Sequence, residues 1–132
     1  MTEFYQRQKR AQMVIEQIRV YRFPLPAQTT YNMSSSTVSL PQSTIVELID
    51  TSGMKGYGEA CLATPKAQSA SNDDVLAAMG VLAPSIIGLD PTDFSTVNAF
   101  MDASSAPLSE GKAALDIACW DLTGKKTNKS VV

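Results

Sequence analysis

The spacing of apolar and polar positions changes about halfway along the chain. Val14 to Phe23 (VIEQIRVYRF) is rich in β-branched and aromatic residues and predicts a strand. Pro24-Leu25-Pro26 stops it, and residues 27–42 (AQTTYNMSSSTVSLPQ) form a polar loop long enough to call for an explanation. Ser43 to Asp50 (STIVELID) predicts a second strand. Thr51-Ser52-Gly53-Met54 supplies a turn, and Lys55 to Cys61 (KGYGEAC) predicts a third strand. The first half therefore predicts a three-stranded antiparallel meander.

The second half carries helical spacing. Ser71 is placed to cap a helix over VLAAMGVLAPSII, with Asp73 and Asp74 suiting the positive end of its dipole. Pro84 lies inside that stretch and predicts an end or a kink. Gly88-Leu89-Asp90-Pro91 is a break, and Thr92 is the candidate cap of a second helix reaching about Asp102. Ser109 is the candidate cap of a last helix to about Lys126, on which Leu115, Cys119 and Leu122 share one face. Strands first and about three helices after make an α+β domain.

Length and composition narrow the chemistry. A chain of 132 residues is one compact domain and cannot also hold a (β/α)8 barrel, which needs roughly 250 residues. It has no histidine, which excludes Ser-His and Cys-His nucleophile pairs, zinc helices and an imidazole base. Cys61 and Cys119 are far apart in sequence and read as two buried free thiols in a reducing compartment. Net charge is +3 over residues 1–22, −7 over 23–111 and +2 over 112–132. The acidic centre argues against a nucleic-acid surface, and no apolar run is long enough for a membrane span. Residues 1–13 read as a disordered leader without a secretory signal, with Met13 an alternative start. The expected location is the cytoplasm.

Few residues suggest chemistry. Gly56-Tyr57-Gly58 begins like a dinucleotide loop, but the third glycine is replaced by Cys61 and the context is a strand. Glycines there predict close approach of another backbone. Asp116 and Asp121 sit about 140° apart around a helix, so they do not pair as acid and base and are expected to accept structural hydrogen bonds. Glu59 lies at the end of the third strand, where it suits a ligand-facing group or a salt-bridged carboxylate equally. Tyr31, Asn32 and Met33, at the centre of the 27–42 loop, could line a pocket or lie on an ordinary surface loop. No self-sufficient catalytic set is present, and a small enzyme using Glu59 or Lys55 unaided is disfavoured.

Several segments taken together resemble the N-terminal capping domain of the mandelate racemase/muconate lactonizing enzyme family, in the enolase superfamily. They are Ile18–Pro26 (IRVYRFPLP), Ser43–Ala60 (STIVELIDTSGMKGYGEA), Gly88–Pro91 (GLDP) and Ala113–Val132 (AALDIACWDLTGKKTNKSVV). Within the family, DIACWD and the Pro24-Leu25-Pro26 run look most like the branch acting on hydroxyproline, proline betaine or related amino acids.

The resemblance implies a cap, residues 14–128, packed over a modified barrel, with 129–132 starting the linker. In such enzymes the barrel carries lysine bases and the acidic ligands of Mg²⁺, which stabilises an enolate formed next to a carboxylate. Two cap loops close over the substrate; they correspond to the loop around Tyr31–Ser36 and the segment after Glu59. The implied specificity residues are Tyr31, Asn32, Met33 and Glu59.

This chain has no Lys-x-Lys, and Ser130 replaces the linker proline usual in the family. The expectation is a cap, or fragment, of a Mg²⁺-dependent lyase or isomerase, without cofactor of its own and inactive alone. The parent reaction would be α-proton abstraction from a carboxylate, with an amino acid such as hydroxyproline as substrate. The alternative is a stand-alone interaction module that self-associates through an exposed cap face and binds neither nucleic acid nor membrane.

Overall fold

The computed structural model describes residues 13–24, 31–33, 36–38, 42–61, 71–104, 106 and 109–131. Three strands make the main sheet: β1 (Ile15–Pro24), β4 (Gln42–Asp50) and β5 (Lys55–Cys61), in the order β1-β4-β5 and antiparallel throughout. Three helices follow: α1 (Asn72–Ile86), α2 (Phe94–Ala103) and α3 (Ser109–Thr127). The α+β meander-then-helices architecture is thus present, and the described residues hold no (β/α)8 barrel.

The register explains the layers. Ile18, Leu48 and Gly56 form one row across the sheet, and Val20, Val46 and Gly58 the next, all on the face that the helices cover. The opposite face carries Arg19, Glu47 and Tyr57 in one row and Tyr21, Ile45 and Glu59 in another. Period-two alternation puts Gly56, Gly58 and Ala60 inside while Lys55, Tyr57, Glu59 and Cys61 look outward. Between sheet and helices lies the core, including Val46, Leu48, Val75, Leu82, Leu115 and Leu122. Met13 is also buried in it, so the described fold begins there.

The two strand glycines set how closely α3 packs. A Cβ on Gly56 would strike the Ala118 carbonyl, and one on Gly58 the Ala114 carbonyl. Backbone therefore lies on backbone, as expected from their place in a strand. Gly53, at φ +82, closes the β4–β5 turn in the left-handed region open to glycine.

Several local expectations differ from what forms. Residues 27–42 are not all loop: β2 (Tyr31–Met33) and β3 (Ser36–Val38) pair as a hairpin, because Tyr31, Thr37 and Val38 are good strand formers on either side of a two-residue connection. α1 runs past Pro84 to Ile86. The proline removes one hydrogen bond, while Leu82 and Ile86 remain buried on the same face, so packing carries the last turn. Asp93, rather than Thr92, caps α2 by accepting the Thr96 N–H at 3.1 Å. Thr92 instead donates its hydroxyl to Asp90. Cys119 is buried as expected, but Cys61 is exposed, because odd positions of β5 face away from the helices.

Ser71 caps α1 through a capping box with Asp74, as its spacing predicts. Ser109, expected as the cap, is instead the first residue of α3, which ends at Thr127 and is followed by Asn128 in the left-handed region (φ 51). The Lys129 N–H closes on the Gly124 carbonyl at 3.0 Å.

Candidate functional site

All the roots of the two long connections meet at one end of the sheet. Residues 25–41 connect Pro24 of β1 to Gln42 of β4, and residues 62–70 connect Cys61 of β5 to Ser71 at the cap of α1. Pro24 is the register partner of Gln42, and Ser43 that of Cys61, so the strand roots stand side by side.

Three side-chain links tie these roots together. The Ser43 hydroxyl donates to Glu59, joining β4 to β5. Arg22 pairs with Asp73, joining β1 to the first turn of α1. The Thr44 hydroxyl reaches Asn72 Oδ1 at 3.5 Å, joining β4 to the same turn. Ser43 and Thr44 are fully buried and Asn72 nearly so, which makes this end of the domain a fixed rim.

Tyr31, Asn32 and Met33 lie on β2, in a two-stranded sheet separate from the main one. Glu59 lies on the outer face of β5, opposite Ile45, two residues before the strand ends. In the chain the hairpin is inserted between Pro24 and Gln42, whose strands meet at the same end of the main sheet as the end of β5 that carries Glu59. Residues 62–70 of the segment after Glu59, and the leader before Met13, lie outside the described residues.

A second charged group has no forerunner in the candidate residues. Glu47, on the outer face of central β4, is only 4% exposed. It accepts from Tyr57 Oη at 2.9 Å and Tyr21 Oη at 3.2 Å, and pairs with Lys55 at 2.9 Å and Arg19 at 3.5 Å. The Lys55 and Tyr57 hydrogen bonds hold the Glu47 carboxyl below its ordinary range. The same contacts push Lys55 and Tyr57 up. A sequence signal existed: one carboxylate inside an apolar strand, with cations and tyrosines at alternating positions of its neighbours. The network is saturated from within, so its role is to fasten the outer face.

The two helix carboxylates also have structural roles, as their separation around the helix implies. Asp116 accepts from Asn98 Nδ2 at 2.8 Å, joining α3 to α2. Asp121 accepts the Tyr57 N–H at 2.8 Å and pairs with Lys125 at 2.6 Å. Among the described residues no group of three or more His, Cys, Asp or Glu could hold a metal ion. The buried Asp50 has one oxygen without a partner, but a single carboxylate oxygen does not make a magnesium site. Nor is any helix of the described residues long and apolar enough to cross a membrane.

Known proteins place this arrangement. Residues 15–132 match the family model described as mandelate racemase / muconate lactonizing enzyme, N-terminal domain. The cis-3-hydroxy-L-proline dehydratase of Roseibium aggregatum is 36% identical over 119 residues, covering 89% of this chain and 32% of that protein. The dipeptide epimerase of Enterococcus faecalis, solved with magnesium and L-Leu-L-Tyr, superposes with a TM-score of 0.80 at 31% identity. It covers 86% of this chain and 32% of the epimerase. A member of the enolase superfamily from Roseovarius nubinhibens, solved with magnesium, gives 0.76 at 30% identity, over 87% of this chain and 31% of that one. The chain spans about a third of the length of the curated relatives it matches. By fold, strand order and matched residues, the chain belongs to the mandelate racemase / muconate lactonizing enzyme family of the enolase superfamily, as its N-terminal domain.

Proposed function

We propose that this domain is the substrate cap of a magnesium-dependent dehydratase, racemase or epimerase that removes the α-proton of a carboxylate substrate. The substrate class is an amino acid such as hydroxyproline, and the setting is the cytoplasm. The observation that carries the reading is the convergence of all the connection roots on one cross-linked rim. A rigid rim with variable connections on it suits a recognition surface, since sites are positioned best when their supports are fixed.

In this reading Tyr31, Asn32 and Met33 contact the substrate from the hairpin. Glu59 contributes from the strand end, with its carboxylate oriented by Ser43. The cap's own residues orient the substrate and exclude water. Magnesium, which would lower the cost of the developing negative charge, would be held by the barrel in this reading, which the likeness to superfamily members solved with magnesium supports. The amino-acid class is supported by the hydroxyproline dehydratase likeness. The 132-residue chain alone turns over no substrate.

A hybrid tests this. Residues 13–132 are joined to the barrel of the Roseibium dehydratase, and dehydration of cis-3-hydroxy-L-proline is followed with Mg²⁺. Tyr31→Ala, Asn32→Ala and Met33→Ala are each expected to raise KM by about tenfold, with kcat changed less. An active hybrid whose KM ignores all three substitutions would overturn the assignment.

A further inference from the structure

We propose that the protein pairs with a second copy of itself along the free edge of β1, about a two-fold axis at Val20. The two main sheets then join into one continuous antiparallel sheet. β1 is an edge strand, so alternate residues turn their N–H and C=O groups away from β4. The β4–β5 turn sets which ones. The Asp50 N–H donates to the Met54 carbonyl at 3.0 Å, so residues 44, 46, 48 and 50 of β4 bond β5, and 43, 45, 47 and 49 bond β1. The register partners of those four are Phe23, Tyr21, Arg19 and Gln17. Ile18, Val20 and Arg22 therefore point their backbone groups outward. This edge lies across the sheet from β5, the strand that α3 covers.

The open stretch is bounded at both ends. At one end Ile15 is already paired, donating to the Leu89 carbonyl at 2.9 Å and accepting from the Gly88 N–H at 2.8 Å. The register shift between Ile15 and Gln17 separates that pairing from the rest of the edge. At the other end Pro24 has no N–H to give. Between these limits no described residue bonds the outward groups of Ile18, Val20 and Arg22. Ile18 and Val20 pack against the core but stay only partly buried, as expected of side chains at an uncovered edge.

Self-complementarity fixes the occupant. The three open residues are centred on Val20, so an antiparallel copy sets Ile18 opposite Arg22, Val20 opposite Val20 and Arg22 opposite Ile18. Each such pair exchanges both of its backbone bonds, and no outward N–H or C=O of the three residues is left over. On the outer face the same register sets Arg19 opposite Tyr21 of the second copy, a guanidinium beside an aromatic ring, and Gln17 opposite Phe23. On the helix side the stem of Arg22 covers Ile18 of the second copy. Tyr21 and Phe23 are 37% and 49% exposed, with ring centres 6.2 Å apart, and would continue across the axis as one aromatic strip. Neighbouring registers do worse. Centring the axis on Arg19 sets Arg19 against Arg19, and centring it on Tyr21 sets Ile18 against Pro24, which lacks an N–H.

The test is sedimentation equilibrium of the 132-residue chain over about a hundredfold range of concentration, with amide hydrogen exchange read by NMR at both ends. The mass is expected to rise from 14.2 kDa toward twice that value. At high concentration the Ile18, Val20 and Arg22 amides should exchange about tenfold or more slowly than at low. A mixture of ¹³C-labelled and unlabelled chains should show an interchain contact between the Arg19 and Tyr21 α-protons, since such non-hydrogen-bonded pairs lie closest. Val20→Pro deletes an outward N–H and no bond to β4, which an edge position tolerates. It is expected to weaken the dimer about tenfold or more, with the β4–β5 amides still protected. Should that variant not fold, exchange and the interchain contact in the unaltered chain decide. The proposal is overturned by a monomer at every concentration, or by a dimer whose three edge amides stay unprotected. A folded Val20→Pro protein that dimerises equally well would also overturn it.

Discussion

Asp121 Oδ2 accepts the backbone N–H of Tyr57 at 2.8 Å, so a side chain of the last helix takes up an outward-pointing N–H of an edge strand. Lys125, one turn on, pairs with Asp121, donates to the Lys55 carbonyl and lies 4.8 Å from the centre of the Tyr57 ring. Asp121→Ala leaves that N–H without its partner and is expected to cost about 1–3 kcal/mol in urea unfolding. Asp121→Asn keeps an acceptor and should cost less, with the difference shrinking in high salt.

Gly58→Ala drives a methyl group into the Ala114 carbonyl, a backbone atom that can move only if α3 lifts from the sheet. A loss of about 3 kcal/mol or more is expected, at the top of the range for overpacking. Gly80→Ala is the control, since a Cβ there meets nothing and alanine favours the helix by about 1 kcal/mol. Thermal unfolding of the two variants should therefore move in opposite directions.

The two thiols should react very differently. Burial first, then the charge of Asp116, pushes the Cys119 thiol up to about 12, while Cys61 is exposed. Ellman's reagent at pH 8 is expected to label one thiol in the folded protein and two in denaturant. Cys61→Ser should leave none reactive before unfolding.

Asp50 makes part of the stability acid-sensitive. Burial alone would raise its carboxyl, but hydrogen bonds from the Ser52 hydroxyl and the Met54 and Ser52 N–H groups, with the charge of Lys126, outweigh burial and hold it below 3.8. A folded-state pKa lowered in this way stabilises the protein above the unfolded value, and that stabilisation is lost as pH falls through the lowered one. The melting temperature should therefore fall from about pH 5 downward, and Asp50→Asn should flatten the part due to this group. An unchanged slope in the variant would assign the acid sensitivity to Glu47, Asp74 and Asp93, whose carboxyls are also held down.

Much of the fold was legible because local physics decided it. The strand signals of STIVELID and KGYGEAC, the left-handed turn at Gly53 and the Ser71 capping box each act within a few residues, and each formed where its pattern lay. The two strand glycines announced a close backbone approach, although not that Ala114 and Ala118 would supply it. Tyr31, Asn32, Met33 and Glu59 stood out as candidates by their positions in a loop and at a strand end, and the resemblance alone implied the specificity role proposed for them.

What the chain could not display in one dimension was pairing across it. Asp121 lies 64 residues from Tyr57, and Glu47 lies 26 residues from Tyr21; neither partner is implied by the other's neighbours in sequence. Pro84 was outweighed by the burial of Leu82 and Ile86, a gain available only once α1 meets the core. The exposure of Cys61 follows from which face of β5 the helices cover. By itself the sequence determined the three strands of the main sheet, the three helices, their order and the acidic, histidine-free composition, but not the β2–β3 hairpin. The tertiary structure alone decided which outward backbone groups of β5 the last helix takes up and which roots form the rim, because both depend on register between segments distant in the chain.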